Sequence, residues 1–175
     1  GGIMGRTWRS RRVRFANFSG VLAGVFLAAR LMSPIHSPPL PPAGVPLQVD
    51  RVIDGDTLLV DGRFRIRLLG VNTPETKHPD RPPEPWGIEA HQFTQALVNH
   101  RPITLEFDRE RWDDYRRILA YGFLDDGSLL NERLILEGLS PAVITFPIRG
   151  DRRRLFMNAQ DVAQRQGLSL WSRSE

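Results

Sequence analysis

A chain of 175 residues, 41% hydrophobic and 25% charged, can bury one real core, and its lack of cysteine excludes disulfides and thiolate metal sites. The formal charge of +4 is uneven: six arginines (Arg6, Arg9, Arg11, Arg12, Arg14, Arg30) and no acid lie in residues 1–30, leaving 18 basic and 20 acidic groups in residues 31–175, a net of −2. That balance excludes a domain that grips nucleic acid through a broad basic face, so phosphate chemistry here needs a local site with a metal ion supplying positive charge.

Residues 6–14 form a basic run, residues 15–29 (FANFSGVLAGVFLAA) are mostly apolar, and SPIHSPPLPPAGVP is rich in proline. A basic run before an apolar stretch has the layout of a secretory signal or a membrane anchor. Fifteen helical residues span about 22 Å, short of the ~30 Å hydrocarbon core; extension to Met32, with Arg30 reaching the interface, nearly closes the gap. An uncleaved anchor, a cleaved signal and a soluble amphipathic arm are all compatible. The lack of a clean small-x-small cleavage site favours the first. Five arginines before the apolar run place the downstream chain outside the cytoplasm. The expected division is a basic segment and anchor over 1–32, a proline-rich linker over 33–46 and a folded domain over 47–175.

From residue 47 the pattern is β first. Residues 47–53, 57–60 and 64–69 are short β-rich runs, and Phe64, Ile66 and Leu68 alternate with Arg65 and Arg67. Asp61-Gly62 signals a hairpin, and Asn72-Thr73-Pro74 a turn after the third strand. Residues 78–86 carry four prolines and read as a surface loop. Residues 89–99 have helical spacing, residues 102–107 and 118–124 read as strands, and residues 129–137 and 151–166 as helices stopped by Gly138 and Gly167. Five strands, with one helix after the third and two at the end, predict an α+β domain whose order suits a five-stranded OB-type β-barrel with three helices.

Two turns concentrate the polar chemistry. Asp54 and Asp56 flank Gly55, and Asn72, Thr73 and Glu75 follow sixteen residues after Asp56. Carboxylates, an amide and carbonyls are what a hard cation such as calcium takes as ligands. Alone, an Asp-Gly-Asp is more often an ordinary acidic turn; the companion turn favours a site. Arg67, Arg116 and Arg117 offer planar donor forks for a phosphoryl group, or else belong to solvated surface. Glu75, stiffened by Pro74, is a candidate base or water-orienting group. No histidine has metal-ligand spacing. Arg149 and residues 152–154 read as the solvated start of the last helix, and Trp171 as a core anchor.

The segments VIDGDT, RLLGVNTPETKHP, WGIEA, DDYRRILAY, LLNERLILEGL and LSLWS, in this order and spacing, resemble successive blocks of staphylococcal nuclease-like domains. The resemblance runs from about Val49 to Ser172. It implies an OB barrel with three helices and calcium (Ca2+) held by Asp56, Asn72 and the Thr73 carbonyl, with Asp54 close by. Glu75 would position or deprotonate the attacking water, Arg67 and Arg117 would clamp the phosphate, and Tyr115 would line the nucleotide pocket. It further implies cleavage of the 5′ P–O bond to leave 3′-phosphate ends. Three features depart from the pattern. Asn72 stands where the family commonly has Asp, which removes one negative charge from the metal site. Asp114 stands where the best-known member has a phosphate-binding lysine. Ile144 and Phe146 stand roughly where it has a base-flanking aromatic pair.

Three functions are expected. The leading one is a monomeric, calcium-dependent nuclease acting on DNA and/or RNA with little sequence preference, secreted or held to a membrane by its N-terminal segment. A second is an OB-fold module that binds nucleic acid or protein with weak or lost catalysis; survival of Asp56, Arg67, Glu75 and Arg117 together argues against it. A third is a structural envelope protein, which leaves the polar constellation unexplained.

Overall fold

The computed structural model describes residues 39–76, 82–145 and 147–172. The basic and apolar zones, residues 33–38 of the linker, His78 and Phe146 lie outside them. Among the described residues no helix is long and apolar enough to cross a membrane.

Strands β1 (Pro46–Asp54), β2 (Thr57–Val60), β3 (Phe64–Leu68), β4 (Pro102–Glu106) and β5 (Ile118–Phe123) form a closed barrel in the order β1-β2-β3-β5-β4. β1, β2 and β3 make an antiparallel meander. Asp61 and Gly62, with φ of 48° and 66°, turn β2 into β3, as an Asp-Gly pair readily does. β3 then pairs in parallel with β5. A parallel pair needs a long crossover, which helix α1 (Gly87–Val98) and β4 provide. Leu47 opposite Ile103 closes β1 on β4, so the sheet has no open edge.

The alternation in β3 buries Phe64, Ile66 and Leu68 and leaves Arg65 exposed and Arg67 half-buried. Val49, Leu58, Val60, Ile66 and Leu105 are fully buried in the core. Helices α2 (Leu130–Leu136) and α3 (Gly150–Gln166) add Leu134, Ile135 and Phe156. Each such side chain contributes about 1.5–3 kcal/mol. Gly70 admits Phe156: a Cβ there would sit 2.5 Å from the ring, and its φ of +74° suits glycine. Buried Asn131 ties α2 to the barrel, accepting from Gly122 N at 2.9 Å and donating to Leu69 O at 2.8 Å.

The structure differs from expectation in detail. β1 runs on to Asp54 through two register shifts that a simple alternation hides. α1 starts at Gly87 rather than 89, because Trp86 adopts φ 68° and Gly87 packs where a Cβ would lie 3.0 Å from Pro74 O. No Ser, Thr or Asp cap marks that start. Arg149 and Arg152 are not free surface charges, although the Arg149 side chain stays 39% exposed. Both pair with Glu106, and their guanidinium groups lie 5.6 and 5.5 Å from the Tyr121 ring centroid. The cause is Asp108, which accepts from Tyr121 Oη at 2.6 Å and Arg149 N at 2.9 Å and draws the start of α3 onto the barrel. Arg153 and Arg154 are exposed. Trp171 is half-buried in a short 3-10 turn (Ser169–Trp171) beside Gly138 rather than in the core.

Candidate active site

The β1–β2 turn and the loop after β3 meet because Gly55 has no side chain. A Cβ there would lie 2.7 Å from Thr73 Oγ1 and 3.0 Å from Ala90 Cβ. Thr94 of α1 pins the turn by donating to Gly55 O at 2.6 Å. Asp56 therefore faces the loop. Its Oδ2 accepts from Thr73 N at 2.9 Å and lies 3.2 Å from Arg67 Nη2, while Oδ1 accepts from Thr57 Oγ1 at 3.0 Å.

Arg67 sits opposite Thr57 in the ladder and folds over the end of its strand. Nη1 donates to the carbonyls of Leu68 and Val71, both at 2.7 Å, and Nη2 donates to Asn72 Oδ1 at 2.9 Å. Burial pulls its pKa below the ordinary arginine value, nearby Asp56 opposes that, and Arg117 reinforces it. Arg117 stands just before β5. Its Nε donates to Asp113 Oδ2 at 2.6 Å, its amide to Asp113 Oδ1 at 2.8 Å, and Nη1 to Thr57 Oγ1 at 3.4 Å. The guanidinium lies 5.4 Å from the centroid of the Tyr115 ring, which is 78% exposed.

Glu75 lies on the surface of the same loop. Its backbone is clamped across residues 77–81 by Glu84: Glu75 N donates to Glu84 Oε2 at 3.0 Å, and Glu84 N to Glu75 O at 2.9 Å. Its carboxyl reaches Asp54. Burial, then the approach of Glu75, pushes Asp54 up to about 6, against donors Thr76 Oγ1 and Gly55 N, each 3.0 Å from Oδ1. Asn72 is exposed, and its backbone N donates to Ser140 Oγ at 2.8 Å.

Arg67, Arg117, Asp113, Asp114 and Tyr115 also line one cleft, floored by Val71 and Leu119. The expected residues thus form two connected groups: Asp56, Asn72, Thr73, Arg67 and Arg117 around the strand ends, and Asp54 with Glu75 on the adjoining turn. Sequence reasoning missed Thr57, Asp113 and Ser140. Thr57 had a signal, since it closes the VIDGDT block. Asp113, four residues before Arg117, was legible as an ion-pair partner. Ser140 is remote in sequence and gave none. Ile144 is half-buried against the core.

The donor set suits a hard cation. Among the described residues no three His, Cys, Asp or Glu side chains cluster closely enough to hold a metal alone. Amide and carbonyl oxygens and water would have to complete a shell, as calcium permits and zinc does not. Two carboxyls crowded at Asp54 and Glu75 are an arrangement that a divalent cation relieves.

The pattern of staphylococcal nuclease homologues matches residues 65–173. The chain belongs to this family. It is 43% identical to a thermonuclease of Staphylococcus intermedius and 39% identical to one of Staphylococcus hyicus, in each case over 71% of this chain and 75% of the relative. It is 37% identical to endonuclease YncB of Bacillus subtilis over 74% of this chain and 63% of that protein. The closed five-stranded barrel with three helices is the staphylococcal nuclease fold, and the loop after β3, with Asn72, Thr73 and Glu75, lies within the matched residues.

Proposed function

We propose that this chain is a calcium-dependent nuclease that hydrolyses DNA and/or RNA with low sequence specificity. We further propose that it works as a monomer outside the cytoplasm, secreted or tethered through residues 1–32. Membership among the thermonucleases makes it a hydrolase of the nuclease class. The observation that carries the finer reading is the network through Thr57 Oγ1, which joins Asp56 at 3.0 Å to Arg117 at 3.4 Å while Arg67 faces Asp56 at 3.2 Å.

Asp56, Asn72 and the Thr73 carbonyl, with Asp54 alongside, would hold calcium, whose charge offsets that of the phosphate. Glu75 orients the attacking water and takes its proton. The water oxygen bonds to phosphorus as the bond to the 5′ oxygen breaks, leaving a 3′-phosphate and, after protonation from solvent, a 5′-hydroxyl. Arg67 and Arg117 donate to the equatorial oxygens where charge builds. Their pairing with Asp56, Asn72 and Asp113 holds both guanidinium groups at the cleft, and Arg67, whose terminal nitrogens already donate to Leu68, Val71 and Asn72, exchanges partners as the phosphate arrives. Tyr115 lines the nucleotide pocket. With Asn72 in place of a carboxylate the metal is held more weakly, and Asp114 disfavours an extra phosphate beside Tyr115.

The test is degradation of DNA and RNA by the full chain in calcium, in magnesium and with chelator. Calcium-supported cleavage that chelation abolishes is expected. Undiminished cleavage in chelator, or binding without cleavage under every metal, overturns the reading.

A further inference from the structure

The solvent face of the β1–β2–β3 meander carries arginines that the catalytic reading leaves unused. Arg51, Leu59 and Arg65 form one rung of the ladder, with Arg51 opposite Leu59 and Leu59 opposite Arg65. Arg51 and Arg65 are exposed and Leu59 is half-buried between them. The next rung is Asp54, Thr57 and Arg67, two residues further along β2 and β3, or roughly 7 Å away. The parallel register that sets Arg67 beside Leu119 also brings Arg117 level with Arg65. Arg117 reaches across β3 to Thr57 Oγ1, so its guanidinium lies on this same face. Arg65 thus continues the line of Arg67 and Arg117, and Arg51 extends it across the sheet.

These two cations are available. Among the described residues neither Arg51 nor Arg65 forms an ion pair. The acids of the adjoining hairpin are engaged by backbone: Asp50 Oδ2 accepts from Gly62 N at 2.6 Å and Asp61 Oδ1 from Gln48 N at 3.0 Å. The segment on the other wall of the cleft is mixed in charge. Exposed Glu110 and Asp114 line the cleft, Asp113 is committed to Arg117, and exposed Arg109, Arg111 and Arg116 are interspersed with them. Arg51 and Arg65 thus offer unpaired positive charge beside the catalytic pair, although residues 31–175 carry a net charge of −2.

We propose that the nucleic-acid strand leaves the scissile phosphate over the β1–β2–β3 face, with Arg65 and Arg51 contacting the flanking phosphates and Leu59 resting under the sugar or base between them. This inference rests on the nuclease reading and adds a path and a substrate class: a strand long enough to reach past the catalytic pair. A strand crossing the other wall would pass the exposed carboxylates of Glu110 and Asp114, whereas one crossing the meander meets cations at phosphate-like intervals. Their side chains are exposed, so exchanging them leaves the core intact.

The test uses the full chain and the variant R51Q/R65Q, with R65K as the charge-conserving control. Binding of a labelled single-stranded DNA is measured by anisotropy in chelator, where cleavage cannot intrude, over a salt series. Hydrolysis of a chromogenic thymidine phosphodiester, too short to reach the track, is measured in calcium. The expected result is that R51Q/R65Q binds DNA roughly ten-fold more weakly and that the slope of log affinity against log salt becomes shallower by about 1.5. R65K retains the wild-type slope, and the variants hydrolyse the short ester within about two-fold of wild type. Unchanged affinity and slope in R51Q/R65Q overturn the track. Failure of the wild type to hydrolyse the ester counts against the nuclease reading instead, since the binding measurement stands without it. Anionic phospholipid vesicles form a further arm: loss of vesicle binding with DNA binding intact would assign these arginines to a membrane surface and overturn the proposal.

Discussion

Arg67 Nη2 lies 2.9 Å from Asn72 Oδ1, so the amide that stands in for a carboxylate is held by one of the two candidate catalytic arginines. An amide oxygen accepts that bond and still has a lone pair for a cation, but it brings no charge. Asn72→Asp should restore the missing charge and lower the calcium concentration for half-maximal rate by roughly ten-fold, with little change in the saturated rate. A calcium titration of initial rates checks this; an unchanged midpoint would mean that residue 72 does not face the ion.

Thr57 is buried, and its hydroxyl is the only atom shared by the Asp56 and Arg117 contacts among the described residues. Thr57→Val keeps the shape and removes the link. Activity should fall roughly ten-fold and stability by about 1 kcal/mol, with Thr57→Ser restoring most of both. Steady-state kinetics beside urea unfolding separates the two effects. A Val variant of wild-type rate would show that the bridge does not matter to Arg117.

Glu75 is exposed and its loop is held by backbone bonds to Glu84, so its carboxyl can be removed without disturbing the fold. Glu75→Gln should lose about 10²–10⁴-fold in kcat while keeping its melting temperature. Arg67→Ala should be slower too, but also less stable by about 1–3 kcal/mol, because the carbonyls of Leu68 and Val71 lose their donor. Thermal melts beside single-turnover rates distinguish them.

On the far side of the barrel, Asp108 is buried, which by itself would raise its pKa. The Tyr121 hydroxyl and the amides of Arg149 and Arg109 outweigh that and hold it below 3.8. A depressed carboxyl stabilises the fold above its unfolded pKa, and that contribution is lost as pH falls through the folded value. Tyr121→Phe should therefore cost about 1–2 kcal/mol at neutral pH. The gap from wild type should narrow below pH 3.8. Urea titrations at both pH values test the sign; a gap that widens in acid would contradict it.

The barrel was legible because β3 alternates cleanly, the other strands are short β-rich runs and the hairpin uses Asp-Gly, and the site because its two turns hold unusual residues at fixed spacing. What escaped the sequence depended on contacts between distant segments. Gly55 reads as a flexible turn residue, yet its role is to admit Thr73 and Ala90. Arg149 and Arg152 read as solvated charges because nothing local reveals Glu106, more than forty residues earlier, or the Tyr121 ring beneath them. The early start of α1 was invisible because a left-handed Trp86 and a close approach to Pro74 set it, with no polar cap.

The central claim is that two guanidinium groups, one from β3 and one from just before β5, grip one phosphate as it reacts. Arg117 tests it most directly: its side chain is half-buried and, unlike that of Arg67, holds no backbone carbonyl, so cutting it back disturbs the fold less. In calcium, with folding verified by circular dichroism, Arg117→Ala should cleave single-stranded DNA about 10²–10³-fold more slowly than the wild-type chain, mostly in kcat. A folded Arg117→Ala protein that cleaves at the wild-type rate would contradict the account.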